Sequence, residues 1–360
     1  MSISEARSTS YQHLQPICES YSEGSPILSV IIDCYYRLDL VRQSIQSVLN
    51  QDYPNVELIL VDNGAQPDIR QHLARVHANS KNTVLIKFEE NQFSWDDVEK
   101  PVAICWNAAL IHAKGDFVCH LAYDDLFSNC YASRMVKLFV DNPACVTAAP
   151  LQYSINEEGH VSTDSSMRDR NRRDRYIDGL DLAIDLIMGH PKKLMGHSGE
   201  ILVIRREFLL QHGGFDRLID VSQILKYAIL GVSGFDKDAA LYWRHHEWQL
   251  NRQAKRRGTI WYSSLKKSWS ASGIVEIWRQ RFDEEKVNAL LEFKKRTLDA
   301  APLTVISENT RKKNLIGIIV ALINMARECP TLLPRGLYSV FRELVSMTFG
   351  KIYHRLRSRN

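Results

Sequence analysis

Two adjacent carboxylates, Asp124 and Asp125, follow directly after the apolar run FVCHLA at residues 117–122. Two like charges side by side at the end of a strand repel each other unless a positive group lies near them. The simplest such group is a divalent cation, which prefers carboxylate oxygens as ligands. The pair therefore indicates a metal site, with a solvated acidic loop as the alternative.

Two further acidic residues follow two other apolar runs. Asp33 comes after ILSVII at residues 27–32, and Asp62 comes after VELILV at residues 56–61. Continuous β-branched runs of this length are typical of strands buried on both faces. The residues between the two runs predict an amphipathic helix through their apolar positions: Leu40, Val41, Ile45, Val48 and Leu49. A strand, a helix and a strand in succession predict two parallel strands.

The alternation of strands and helices continues along the chain. Residues 83–88, 117–122 and 145–149 are predicted strands, and residues 102–113 are a predicted helix. The sequence thus predicts an α/β fold, a Rossmann-like open and mostly parallel sheet flanked by helices, whose ligands gather at the carboxyl ends of the strands. Any one acidic residue there is readily explained as a solvated loop side chain. Four of them at one edge of one sheet predict a binding site.

Composition narrows the class of protein. A chain of 360 residues with 45% hydrophobic residues can bury a large core in one large or two moderate domains. The net charge of +4 is too small to indicate a nucleic-acid partner. Seven cysteines without a CxxC pair indicate reduced thiols in a cytoplasmic protein. The polar residues 1–25 are expected to form a loosely ordered tail.

Two stretches resemble a known family. They are SVIIDCYYRLDLVRQSIQSVLNQDYPNVELILVDNGA at residues 29–65 and WNAALIHAKGDFVCHLAYDDLF at residues 106–127. Both are similar to the motifs of family 2 glycosyltransferases, and the similarity extends from about residue 26 to residue 251. It implies a GT-A fold over residues 26–250 and an inverting transfer of a sugar from a nucleotide diphosphate donor to a hydroxyl acceptor. That acceptor would be a glycan, a polysaccharide or a lipid-linked sugar.

The resemblance also implies roles for residues in the donor pocket. Asp62 would contact the base or the ribose, while Asp33 and Tyr35, with Tyr36 nearby, would line the nucleotide pocket. Asn107, in the second motif, would contact the donor as well.

The same resemblance assigns the metal site. Asp124 and Asp125 would hold Mn²⁺ or Mg²⁺ between the two phosphates of the donor. Arg244 and His246, in LYWRHHEWQLN, would approach the phosphates or the metal. A histidine at the edge of the core is the ordinary alternative for His246, and also for His245.

Two departures from the family pattern matter. Ala122 stands where the first acid of the Asp-x-Asp element is usual, so we expect weaker metal affinity. The turn after the first strand reads Asp-Cys-Tyr-Tyr at residues 33–36 in place of Pro-Thr-Tyr-Asn, which leaves the base preference open.

The acceptor side is expected around the Gly-Gly-Phe-Asp motif at residues 213–216. Family members place a Glu-Asp pair after it, and the register puts that pair on Ile219 and Asp220. Asp220 would then be the general base that takes the proton of the acceptor hydroxyl. The alternative is that Asp220 only caps its helix. His197 and Glu200 are candidates for the acceptor pocket, with capping or packing as their alternative.

Residues 251–360 lie beyond the resemblance and are predicted to be helical. Residues 274–298 are predicted to be helical and carry many charges. The apolar stretch 314–326 is too short for the roughly 20 residues that span a bilayer, so we expect a buried helix there. Residues 337–359 predict a basic amphipathic helix. Three partners remain open for it: the inner face of a membrane, the protein's own catalytic domain, or a second subunit in a homo-oligomer.

Two other functions are compatible with the same scaffold. A sugar nucleotidyltransferase would need a glycine-rich phosphate loop after the first strand, and DCYYRLD at residues 33–39 contains no glycine. A non-catalytic module that binds sugar nucleotides is the second alternative, and Ala122 and Ile219 favour it.

Overall fold

The computed structural model describes residues 12–14, 24–95, 100–161, 175–189, 203–259 and 261–357. The chain forms two compact units. The sheet unit comprises residues 1–94 and 99–245, and the helical unit comprises residues 95–98 and 246–360. His197 and Glu200, the candidates for the acceptor pocket, lie outside the described residues.

The sheet unit is built on one ten-stranded sheet. Its strands are β1 (Gln12–Leu14), β2 (Leu28–Cys34), β3 (Val56–Asn63), β4 (Thr83–Phe88), β5 (Phe117–His120), β6 (Leu126–Phe127), β7 (Cys145–Ile155), β8 (Tyr176–Asp178), β9 (Val203–Arg205) and β10 (Val232–Arg244). Their order is β1-β4-β3-β2-β5-β9-β7-β10-β6, and β8 pairs with β10. The strands β4, β3, β2 and β5 run parallel to their neighbours in this group, as do β7 and β10. Antiparallel pairs join the remaining strands.

Helices flank this sheet. They are α1 (Leu38–Leu49), α2 (Pro67–Asn79), α3 (Asn107–His112), α4 (Tyr131–Asp141), α5 (Gly179–Met188), α6 (Arg206–Gln211) and α7 (Ile219–Ser222). The helix predicted at residues 102–113 begins as a π-helical turn, Val102–Trp106, before α3. The α/β prediction is confirmed, because the predicted strands at residues 27–32, 56–61, 83–88 and 117–122 correspond to the parallel group.

The apolar pattern explains why these elements form. Six of the seven residues of β2 are buried, and the seventh, Asp33, is half-buried at its carboxyl end. The buried face of α1 is the predicted one, with Leu40, Val41, Ile45 and Val48 turned to the core. Strand β7 extends well beyond the predicted residues 145–149, because it pairs with β10 along nearly its whole length.

The helical unit contains α8 (Leu250–Arg256), α9 (Tyr262–Ala271), α10 (Ile274–Arg281), α11 (Glu284–Arg311), α12 (Leu315–Glu328) and α13 (Leu333–Arg357). A cluster of buried side chains from α11, α12 and the turn after α12 forms part of its core: Val305, Ile306, Ala321, Met325, Cys329 and Leu332. Within the described ranges, no helix is long and apolar enough to cross a membrane.

The helical prediction for residues 274–298 is confirmed for most of this stretch, but the stretch is divided between two helices. The chain is extended at Phe282, and Asp283 starts a new helix by accepting a hydrogen bond from the Lys286 N–H (3.0 Å). An aspartate at this position is a favourable N-cap, which the apolar periodicity alone does not reveal.

Candidate active site

Four predicted site residues lie at one edge of the sheet. Asp33 and Asp62 are the next-to-last residues of β2 and β3, and Asp62 pairs in register with Cys34. Beyond β5, the Leu121 N–H donates to Ile31 O (2.9 Å), so the loop with Asp124 and Asp125 starts beside β2. The predicted meeting of these acidic residues at the carboxyl ends of parallel strands therefore has a direct structural basis.

Asp33 is held by two aromatic side chains that are not among the predicted site residues. Its Oδ1 accepts a hydrogen bond from Trp106 Nε1 (3.3 Å) and lies 3.0 Å from His120 Nε2. The rings of Trp106 and His120 stack with a centroid distance of 3.4 Å. Burial lowers the pKa of His120, although Asp33 opposes this shift. A neutral imidazole at pH 7 then donates from Nε2 to Asp33, which fixes the carboxylate at the edge.

Tyr35 lies next to this group. Its ring meets the ring of Tyr123 edge to face, with centroids 5.1 Å apart. Burial is the main cause of the raised pKa of both phenols, and the negative charge of Asp124 raises the pKa of each further. Tyr35, Asp33 and Asp124 therefore share one electrostatic environment, in which both phenols stay protonated and can donate hydrogen bonds. Tyr36, the next residue along the chain, is 36% exposed.

Asp125 and Arg244 are turned inward. The Arg244 N–H donates to Asp125 Oδ1 (2.8 Å), and burial, followed by the charge of Asp124, raises the pKa of Asp125 well above its usual range. The Arg244 side chain is fully buried and donates to three oxygens: Asp124 O (2.7 Å), Glu157 O (2.6 Å) and Gln43 Oε1 (3.0 Å). In this structure Arg244 fixes the loop that carries the two carboxylates, and its approach to the phosphates or the metal stays a prediction.

Asp62 is also engaged within the protein. Its Oδ1 accepts from the Ala65 N–H (2.8 Å), and its Oδ2 lies 3.3 Å from Arg70 Nε. Burial raises the pKa of Asp62, against the opposing effect of the Ala65 N–H and Arg70. The Arg70 side chain is 44% exposed, so it can move aside for a ligand at low cost.

Asn107 joins the donor half of the unit to the Gly-Gly-Phe-Asp motif. It is fully buried, its Oδ1 accepts from the Phe215 N–H (2.8 Å), and its Nδ2 donates to Phe215 O (2.7 Å) and Ala103 O (2.7 Å). This pairing with the backbone of Phe215 gives Asn107 a positioning contact, and its expected contact with the donor stays a prediction.

The Gly-Gly-Phe-Asp motif leads into α7. Asp216 Oδ1 accepts from the Leu218 N–H (2.9 Å), and Asp216 Oδ2 lies 3.6 Å from the buried Lys226 Nζ. Leu218 occupies the N-cap position of α7, so the backbone of Asp220 belongs to the first turn of the helix and the capping alternative does not hold. The side chain of Asp220 is outside the described part of the structure, and its role as a general base stays a prediction.

The two histidines after β10 differ in position. The His245 N–H donates to Ile155 O (2.8 Å), and its Nε2 lies 3.2 Å from Ser154 Oγ, so it packs against the end of β7. His246 is buried and belongs to the helical unit. Its predicted part in a metal site of the sheet unit therefore remains a prediction.

The carboxylates can be compared with the needs of a divalent cation. Among the described residues, no group of three or more His, Cys, Asp or Glu side chains is arranged to hold a metal ion. Asp125 is committed to the Arg244 backbone, which leaves Asp124, 9% exposed, as the carboxylate at the edge. Mg²⁺ is often bound by one or two carboxylates together with substrate phosphates. The residues therefore fit a cation shared with a diphosphate, not one held by the protein alone.

Part of the chain matches a known protein family. Residues 29–191 match the family model described as Glycosyl transferase family 2. An uncharacterized glycosyltransferase of Haemophilus influenzae is 28% identical over 122 residues, which cover 34% of this chain and 46% of that protein. The putative teichuronic acid biosynthesis glycosyltransferase TuaG of Bacillus subtilis is 30% identical over 100 residues, covering 28% of this chain and 36% of that protein. The chain thus spans less than half the length of these two relatives.

Solved structures show a weaker similarity. TarS of S. aureus in complex with UDP-GlcNAc is 16% identical, with a TM-score of 0.48 over 84% of this chain and 91% of that chain. The mannosyltransferase PcManGT of Pyrobaculum calidifontis, in complex with GDP-Man and Mn²⁺, is 16% identical, with a TM-score of 0.48 over 97% and 93%. Both scores are below 0.5 and establish no ligand for this protein. The family match, in contrast, includes the strands and loops that carry Asp33, Asp62, Asp124 and Asp125, and it is this part of the chain that is similar to glycosyl transferase family 2.

Proposed function

We propose that this protein transfers a sugar from a nucleotide diphosphate donor to a hydroxyl group of a glycan, a polysaccharide or a lipid-linked sugar, with inversion and with a divalent cation. The observation that carries the proposal is the grouping of Asp33, Tyr35 and Asp124 at the carboxyl edge of the parallel strands, inside the segment that matches the family. Acidic groups at such an edge, next to buried groups whose pKa values are shifted, are typical of a functional site.

The donor would be held by the residues of this edge. Asp62 accepts hydrogen bonds from the base or ribose after Arg70 moves aside, and the protonated phenol of Tyr35 donates to the nucleotide. Asp124 provides the protein oxygen for Mn²⁺ or Mg²⁺, which, when bound, neutralises charge on the diphosphate leaving group. The contacts of Arg244 with the Asp124 carbonyl keep this carboxylate in place.

The chemical step needs a base on the acceptor side. Asp220 takes the proton of the acceptor hydroxyl while the oxygen of that hydroxyl forms a bond to the anomeric carbon. The bond from that carbon to the diphosphate oxygen breaks on the opposite face, which inverts the configuration. A sugar hydroxyl is a poor nucleophile, so a carboxylate within hydrogen-bond reach accelerates this step.

The inward orientation of Asp125, together with Ala122, reduces the number of carboxylates available to a metal and favours a second candidate, a module that binds sugar nucleotides without turnover. The two candidates differ in one product. Incubation with a panel that includes UDP-GlcNAc and GDP-mannose, with Mn²⁺ or Mg²⁺, should release the nucleoside diphosphate if the protein is a transferase. Binding without release would favour the module.

The variant Asp124→Ala tests the site itself. We expect it to abolish the Mn²⁺-dependent binding of the nucleoside diphosphate, measured by isothermal titration, while the fold stays intact. Asp181→Ala, which changes an exposed aspartate in the first turn of α5, is the matched control and should bind normally. Unchanged affinity in Asp124→Ala would remove the proposed metal ligand.

A further inference from the structure

Helix α12 exposes an apolar face. Its opposite face is committed to the core of the helical unit, since Ala321 and Met325 are buried and a Cβ at Gly317 would overlap the side chain of Asn309. The apolar sequence predicts a buried helix here, and the structure corrects this for one face. Four large apolar side chains are between 46% and 76% exposed: Leu315, Ile316, Ile319 and Ile323.

Helix α13 has a second exposed apolar face. Its inner side is fixed by Gly336, where a Cβ would lie 2.8 Å from Met325 Sδ, and by the buried Ser339 and Glu343. The outer side carries four apolar residues that are between 51% and 63% exposed: Leu337, Tyr338, Phe341 and Leu344. Leu337, Phe341 and Leu344 belong to the amphipathic pattern seen in the sequence. Large exposed apolar patches of this kind usually mark a binding surface.

Residues 246–360, the main part of the helical unit, carry a large positive charge. Residues 246–360 contain 22 Lys and Arg against 10 Asp and Glu, a net charge of +12. The whole chain carries +4, so residues 1–245 carry −8. The positive charge is thus concentrated in the unit that exposes the apolar faces.

Basic side chains border the apolar face of α13. Arg335 and Arg342 line a groove of about 640 Å³ between α11 and α13, together with Tyr338 from the apolar face. Arg335 pairs with Asp299 (3.1 Å) and Arg342 with Glu343 (3.6 Å), and both arginine side chains are more than 60% exposed. Exposed pairs of this kind are weak, so both guanidinium groups can exchange their partners for phosphates.

We infer that the exposed faces of α12 and α13 bind the surface of an anionic lipid bilayer. The apolar side chains would enter the boundary of headgroups and acyl chains, while Arg335 and Arg342 would contact lipid phosphates. A second copy of the chain fits less well, because it would bring a unit of charge +12 against another of the same charge. Nucleic acid would match the charge but not the eight exposed apolar side chains.

Co-sedimentation of the full chain with vesicles tests this inference. Vesicles of phosphatidylcholine with about 30% phosphatidylserine should bind the protein at about 50 mM NaCl and release much of it at about 500 mM. Vesicles of phosphatidylcholine alone should bind at least tenfold less. Absence of sedimentation with the anionic vesicles at low salt would overturn the inference, as would equal binding to both compositions.

Two variants separate the apolar from the basic contribution. Ile319→Ser with Phe341→Ser should lower the partition coefficient at least tenfold, because each side chain loses an apolar contact. Arg335→Gln with Arg342→Gln should lower the partition coefficient about 25-fold, since one basic residue near an anionic surface contributes about a factor of five.

The controls are matched in exposure and lie in the sheet unit. Val140→Ser changes an apolar side chain that is 57% exposed, and Lys137→Gln with Lys237→Gln removes two charges that are 63% and 61% exposed. Both controls should bind as the unchanged protein does. If the controls and the test variants lose binding equally, the attraction is a property of net charge and this surface is not the site. A dimer in solution that Ile319→Ser with Phe341→Ser dissociates would assign the surface to self-association and overturn the lipid proposal.

Discussion

Arg244 in the sheet unit and Arg311 in the helical unit both lie beside carboxylates, in opposite environments. Arg244 is fully buried, and its guanidinium donates to two backbone carbonyls and a glutamine. The Arg311 side chain is 65% exposed, and its Nε and Nη2 donate to the Glu343 carboxylate at 3.0 Å and 2.9 Å. Arginine thus orders buried backbone in the sheet unit and forms an ion pair from an exposed position in the helical unit.

The carboxylates beside them differ in the same way. Burial and Asp124 raise the pKa of Asp125 well above its usual range, whereas Arg311 and Ser307 lower the pKa of Glu343 to about 2. A charge that is held out of water must be organised by its neighbours, and removal of one partner leaves the other uncompensated. The sheet unit thus uses a buried arginine to hold the edge of the sheet, while in the helical unit the arginine of the pair stays exposed.

The largest effect is expected on turnover, if chemistry is confined to the sheet unit. Asp220→Asn keeps the shape of the side chain but cannot accept the proton of the acceptor, so kcat should fall about 10²- to 10⁴-fold with little change in donor affinity. Steady-state kinetics with donor titration measure both quantities. Asp178→Asn is the matched control, because Asp178 caps α5 by accepting from the Leu180 N–H and asparagine caps equally well. Near normal turnover in Asp220→Asn would exclude this residue as the base.

The next effect is on stability and tests the contrast between the two arginines directly. Arg244→Met leaves the buried Asp125 without its neighbouring charge and three oxygens without donors, which should cost about 3–5 kcal/mol and lower the Tm of the sheet unit by about 10 °C. Differential scanning calorimetry, with separate transitions if the units unfold separately, measures this. Arg311→Met should change the Tm by only about 2 °C. Equal losses in the two variants would contradict the comparison.

The sequence predicted those features of the fold that depend on the residues of a single strand. Apolar runs predicted the parallel strands β2, β3 and β4, and the position of an acid after the first two runs predicted the edge that Asp33 and Asp62 share. The break of the helix at Phe282 and Asp283 was missed because a cap residue carries no periodicity. A capping aspartate followed by Glu284 and Glu285 was the local signal that could have revealed it.

The sequence did not reveal contacts between residues that lie far apart in the chain. Trp106 and His120 reach Asp33 across 73 and 87 residues, and Arg244 reaches Gln43 across 201. Which of two adjacent carboxylates faces the edge depends on how β10 packs beside the loop, and no spacing in the chain encodes this. The position of His120 at the end of β5, immediately before the acidic loop, was the available hint.

A smaller effect is expected on binding at the rim of the site. Asp62→Asn should weaken donor binding about tenfold without changing kcat at saturating donor, because the contact with base or ribose is the same in the ground and transition states. The donor KM and kcat, measured separately, test this. A large fall in kcat at an unchanged KM would show that Asp62 acts in the chemical step and not only in nucleotide binding.

The smallest effect is expected in the helical unit and depends on pH. The pKa of Glu343 is lowered to about 2, first by the hydrogen bonds from Arg311 and then by Ser307, against about 4.3 for an unfolded glutamate. A depressed pKa contributes stability that is present above the unfolded value and is lost as the pH falls toward the folded value. Glu343→Gln should therefore lower the Tm of the helical unit by about 2 °C at pH 6, and this difference should shrink between about pH 4 and pH 2. Thermal melts of the two proteins over this range measure the difference. If the difference stays constant with pH, the carboxylate contributes through packing, and the contrast with the buried charges of the sheet unit rests on Arg244 alone.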